Sequence, residues 1–136
     1  MNSDPGIVQK VALITGASRG LGRVLAGFLA KQGYALIVMA RNGPELQAAA
    51  KEFATAGVPV VPIPGNVSVP SDRLRLLAAA KRHGRIDLLV NNASDLGDTP
   101  LPPLVNASRD TFLRVFDVNT LAPLAIVREE IGRAHV

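Results

Sequence analysis

Thr15-Gly16-Ala17-Ser18-Arg19-Gly20-Leu21-Gly22 sets three glycines around a serine and an arginine. An apolar run, Val11-Ala12-Leu13-Ile14, precedes it, and an amphipathic one, Leu21 to Leu29, follows. Residues of these types at this spacing suit phosphate binding. Glycine lets a backbone turn tightly and approach a ligand without a Cβ in the way, and the free N–H groups that open the following helix attract anionic oxygens. Three glycines alone are a weak signal. A strand before them and a helix after them is the context the motif requires.

Four more stations carry chemistry. Ala40-Arg41-Asn42 stands where a dinucleotide site reads the ribose, about 20 residues beyond the glycines. An acid there takes a 2′-hydroxyl. Arg41 suits a 2′-phosphate instead, through bidentate charge-assisted bonds, and Arg19 can reach the same group. Asn66, after Gly65, either contacts an adenine edge or forms a turn. Asn91-Asn92-Ala93-Ser94 either ties strand ends together beside a flat ligand or is a loop-forming Asn pair. Asn119 follows Val115, Phe116 and Val118 and is expected to face the core, holding a carbonyl or a water.

The elements that must position these groups alternate. Strands are expected at Lys10–Thr15, Ala35–Met39, Val58–Ile63 and Ile86–Val90. Helices are expected at Gly20–Gln32, Pro44–Ala56 and Pro70–Arg82, from apolar residues at helical spacing. Leu21, Val24, Leu25, Phe28 and Leu29 mark the first helix; Leu46, Ala49, Ala50 and Phe53 mark the inward face of the second. Residues 91–106 are expected as loop, with Ser108 capping a short helix to Phe116 and a further helix from about Asn119. The wholly apolar second strand suits a parallel sheet covered on both faces. Prolines 59, 62 and 64 put the third strand at an edge. The fold class is therefore α/β: one doubly wound parallel sheet of Rossmann type, whose ligands bind at the carboxyl ends of the strands.

Composition fits one domain. The chain has 136 residues, 48% of them hydrophobic, and no Cys, which excludes disulfides, thiolate metal sites and a Cys nucleophile. A Cys-free chain suits a reducing cytoplasm. No apolar stretch is long enough to span a membrane, and the first residues lack a signal-peptide pattern. The net charge of +4 raises nucleic acid as a partner, but aromatic residues make up only 4% and the basic groups sit on helix faces, so none is expected. Neither His83 nor His135 has metal-ligand partners at suitable spacing.

In the order and spacing of Thr15–Gly22, Asn91–Ser94 and Asn119, the chain resembles the N-terminal half of a short-chain dehydrogenase/reductase over about residues 7–130. The resemblance implies NAD(P)(H), hydride transfer involving an alcohol or carbonyl substrate, and a homo-oligomeric full-length form. It implies cofactor contacts from Gly16, Ser18, Arg19, Gly20, Leu21, Gly22, Arg41, Asn66, Val67, Asn92, Ala93 and Ser94, and a structural and proton-relay role for Asn119. Arg19 and Arg41 match positions associated with NADP(H), so NADP(H) is expected over NAD(H). Ser94 departs from the family's Gly, and Asn66 from its adenine-contacting Asp.

The resemblance also implies a catalytic Ser and a Tyr-x-x-x-Lys. The single Tyr, Tyr34, is followed four residues later by Val38, so the chain as given is expected to be an inactive, partial Rossmann domain of about four strands. A non-enzymatic NADP(H)-binding module is the second reading. Ile131-Gly132-Arg133-Ala134-His135-Val136 matches the translation of a sequencing-adapter sequence, and the genuine coding sequence is expected to end near residue 130.

Overall fold

A computed structural model describes Gly6 and residues 8–134, with side chains as far as Glu129. In it every residue of β1 (Val11–Thr15) and β2 (Ala35–Ala40) is buried. Side chains on a strand alternate between faces, so two runs buried throughout must have cover above and below. α1 (Gly20–Lys31) and α2 (Gly43–Ala54) cover one face. There Ala26, Leu29, Leu46 and Phe53 pack on Ile14, Leu36 and Val38. α3 (Pro70–His83) and α5 (Ala122–Ala134) cover the other, with Leu76, Ala79, Ala122 and Ile126 on Leu13, Ile37 and Met39.

The described strands form one parallel sheet in the order β3-β2-β1-β4, with β3 at Val60–Pro64 and β4 at Leu88–Asn91. The chain steps outward from β1 to β3. It then crosses through α3 to lay β4 on the other side of β1, pairing Ala12 with Leu88 and Ile14 with Val90. Pro62 and Pro64 sit opposite Val38 and Ala40 on the edge strand, where a missing N–H costs no ladder bond on the open side. Strands three and four each begin two residues later than the apolar pattern suggests. α3 runs to His83 and closes on Gly84 at φ 79°, with Lys81, Arg82 and His83 in a last turn where cations are favourable.

The buried face of α1 is not its large apolar one. Leu21, Val24 and Phe28 do not pack on the sheet: they are 66%, 69% and 59% exposed. The buried face of α1 is Gly22, Ala26, Leu29 and Ala30, because small residues let the helix lie close against the strands. The further helix expected from about Asn119 is present as α5, beginning at Ala122. α4 (Arg109–Phe116) passes through a wide π-type turn, Asp117–Leu121, directly into α5. Such turns occur often at functional sites. Ser108 does cap α4, its Oγ accepting from Thr111 N–H at 3.1 Å. A short 3₁₀ turn, Leu104–Asn106, interrupts the expected loop. The backbone is helical through Ala134, and the reading of residues 131–136 as adapter sequence concerns side chains outside the described residues. No helix among the described residues is long and apolar enough to cross a membrane.

Candidate cofactor site

The carboxyl ends of all four strands open into one cavity of about 460 Å³. The glycine loop forms its floor, and a close approach of two backbones shapes that loop. A Cβ on Gly22 would lie 2.1 Å from Gly16 O and 2.5 Å from Asn92 Nδ2. No other residue fits there. The space is taken because Asn92 Nδ2 donates to Gly16 O at 3.1 Å, fastening the glycine loop to the end of β4. Gly16 and Ala17 donate their N–H groups to Met39 O, at 2.8 and 3.2 Å, which holds the loop over β2. Arg19 occupies the N-cap of α1 in extended conformation and makes no side-chain cap. The first N–H groups of α1 are thus left for an external acceptor. Gly20, at φ 60°, has open space where a Cβ would be.

The ends of β2 and β3 supply the second wall: Arg41, Asn42, Glu45, Gly65, Asn66 and Val67 line the cavity there. Arg19 and Arg41 both border this end and are exposed, and their side chains make no hydrogen bond or close ion pair among the described residues. Glu45 is a carboxylate that sequence reasoning missed. It lies four residues beyond Arg41 in the first turn of α2, and Asn42 caps that turn by accepting Glu45 N–H at 3.0 Å. The signal was present, since an acid in a first helical turn is ordinary, but only the fold turns it toward the cavity.

Asn66 is both a turn former and a wall residue. Its Oδ1 accepts from Ser68 N–H at 2.9 Å and from Ser68 Oγ at 2.8 Å. A backbone donor on that oxygen fixes the amide orientation, and Nδ2 has no partner among the described residues. Asp72 supports the turn by accepting Asn66 N–H at 2.8 Å. Arg75, and next the Asn66 N–H, hold the Asp72 carboxyl below the usual carboxylate range.

The third wall is Asn92, Ala93, Ser94 and Val118. Of the residues expected at the site, Gly16, Ser18, Arg19, Arg41, Asn66, Val67, Asn92, Ala93 and Ser94 line the cavity together, while Gly20, Leu21 and Gly22 do not. Leu21 points to solvent, and Gly22 lies beneath the loop. Asn119 also stays outside and is exposed rather than core-facing. Its Oδ1 accepts Asp95 N–H at 2.7 Å and its Nδ2 donates to Asp95 O at 2.9 Å. The amide clamps the chain that leaves β4. Tyr34 packs partly buried against the α1/α2 core, away from the cavity lining.

Comparison with known proteins gives a consistent answer. The family model for short chain dehydrogenase matches residues 10–132. The chain is 32% identical over 130 residues to the short-chain dehydrogenase/reductase FrzI of a Cladobotryum species, covering 94% of this chain and 49% of that protein. Among solved structures, L-sorbose reductase from Gluconobacter frateurii, complexed with NADPH and L-sorbose, superposes with a TM-score of 0.85. Identity is 28%, over 96% of this chain and 49% of that one. An NAD+-bound xylitol dehydrogenase gives a TM-score of 0.81 at 26% identity, over 89% of this chain and 46% of that one. The chain thus spans about half the length of the curated relatives it matches. With the glycine loop, the Asn92 fastening and the four-stranded parallel sheet in place, the chain belongs to the short-chain dehydrogenase family.

Proposed function

We propose that this chain is the cofactor-binding portion of an NADP(H)-dependent oxidoreductase that interconverts an alcohol and a carbonyl. One observation carries the cofactor choice: Arg19 and Arg41 both border the cavity, and neither guanidinium makes a hydrogen bond or close ion pair among the described residues. Two free guanidinium groups at the ribose end suit a 2′-phosphate, which accepts bidentate charge-assisted bonds. Each residue then has a defined task. The N-terminus of α1 and the glycine loop hold the pyrophosphate. Asn66 Nδ2 donates to a ring nitrogen of adenine, beside Val67. Ala93 and Ser94 leave room for the flat nicotinamide, which when bound supplies or accepts the hydride.

The known neighbours carry both cofactors, NADPH in the sorbose reductase and NAD+ in the xylitol dehydrogenase, so a direct comparison tests the reading. In fluorescence titrations NADPH is expected to bind at least tenfold more tightly than NADH, about 1.4 kcal/mol. Arg41→Ala is expected to erase that preference. Equal affinity for the two in the unaltered chain defeats the assignment.

A further inference from the structure

The chain leaving β4 runs along the cavity as Asn92, Ala93 and Ser94 and is then fastened through Asp95, Gly97 and Asp98 to one face of α4 and the turn that follows it. Asn119 holds the main chain of Asp95 on both sides. The Asp95 carboxylate accepts Gly97 N–H at 2.7 Å and Arg114 Nε at 2.9 Å. Arg114 Nη2 also reaches Asp98 at 3.4 Å, and Thr111 Oγ1 donates to the other Asp98 oxygen at 3.0 Å. Gly97, at φ 87°, lies so close to the helix that a Cβ would stand 3.1 Å from Thr111 Cγ2. Thr111, Arg114, Val115, Val118 and Asn119 recur at three- and four-residue spacing, the repeat of one helix face. Val118 of that face lines the cavity.

We propose that Asp95 and Arg114 form a latch that positions the 92–94 wall for the nicotinamide half of the cofactor. The inference rests on the NADP(H) reading above. A dinucleotide laid across the glycine loop puts its adenosine toward Arg41 and Asn66 and its other half toward Ala93 and Ser94. The latch holds the 92–94 wall by direct contact, and reaches Arg41 only through the longer-range attraction of the Asp95 carboxylate. The Asp95 side chain is 11% exposed, so its charge needs the guanidinium as a counter-ion, and losing Arg114 frees the turn at 95–98. An ordinary surface ion pair would have no ligand-specific consequence. Both residues are positioning residues, because neither lines the cavity.

Two ligands separate these cases: NADPH, which spans both walls, and 2′,5′-ADP, which occupies the adenosine end alone. Arg114→Met keeps the aliphatic stem and removes the charge. It is expected to weaken NADPH about fivefold while 2′,5′-ADP changes less than about twofold, with Arg114→Lys restoring part of the loss. Asp95→Asn keeps an acceptor for Gly97 N–H and, should the arginine variant fold poorly, is expected to weaken NADPH relative to 2′,5′-ADP, with any change in 2′,5′-ADP coming from the lost attraction on Arg41. An unchanged ratio of the two affinities in both variants, or an equal loss for both ligands, overturns the latch. If the unaltered chain binds neither ligand, the NADP(H) reading falls and the latch with it. If it binds 2′,5′-ADP and NADPH, the reading stands whatever the latch variants do.

Discussion

Thr15 Oγ1 accepts the backbone N–H groups of both Asn92 and Ala93, each at 3.1 Å, from a side chain only 1% exposed. The last residue of β1 thereby fixes the first two residues after β4. Asn92 N–H has a second acceptor in Val90 O, whereas Ala93 N–H has none besides Thr15 among the described residues. Thr15→Val keeps the shape and strands that buried donor, so it is expected to destabilise the fold by about 1–3 kcal/mol, measured by urea unfolding. Thr15→Ser retains the oxygen and is expected to lose less.

Glu45 places a carboxylate at the end of the cavity that Arg19 and Arg41 border. Removing it relieves repulsion on an incoming phosphate. Glu45→Gln is expected to tighten NADPH about two- to fivefold at low ionic strength, with the gain shrinking as salt is added. NADH is expected to change little. The measurement is a pair of titrations at two salt concentrations.

Asp87 joins β4 to β1 by accepting Val11 N–H and Arg85 Nε, both at 2.8 Å. Arg85, and next the Val11 N–H, hold its carboxyl below the ordinary carboxylate value. A group whose pKa is lower when folded binds more protons when unfolded. Its contribution is therefore present above the unfolded value of about 3.9 and is lost as pH falls through the lower folded value. Asp72 and Asp95 share this sign. Asp87→Asn is expected to lower the urea midpoint at pH 7 and to flatten its decline between pH 5 and the acid limit, leaving the part due to the other two.

Phe28 and Phe53 stand on neighbouring helices at opposite extremes, 59% and 2% exposed. Phe53→Ala opens the core between α2 and the sheet and is expected to cost about 3–5 kcal/mol. Phe28→Ser is expected to stay within about 0.5 kcal/mol. Thermal unfolding of both variants checks the burial of α1 against its apolar pattern.

Tyr34 has no lysine four residues on and packs with the α1/α2 core. A phenol with a pKa near 10 needs a cationic neighbour to act as acid or base near neutrality. This polypeptide is therefore expected to bind NADPH without oxidising it when offered a small carbonyl compound. Steady turnover in that assay would contradict the expectation.

Much of this protein is determined along the chain. The four strands, the helices between them, the edge position of the Pro-bearing β3 and the cap at Ser108 follow from residue period, proline's missing donor and local hydrogen bonding, which need no distant partner. The glycine loop is legible for the same reason. Tertiary structure decided the rest, where two surfaces compete for one place. α1 has a large apolar face and a small one, and sequence period cannot say which meets the sheet. Close packing chose Gly22, Ala26 and Ala30 and left Phe28 outside. The apolar neighbours of Asn119 suggest a core-facing position, yet its amide is held by the main chain of Asp95, 24 residues away. Glu45 and Val118 entered the cavity wall only because the strand ends converge. Local propensity dictated the elements. The contacts that give the site its walls join Thr15 to Ala93 and Gly16 to Asn92, across more than 70 residues, and exist only once β4 is laid beside β1.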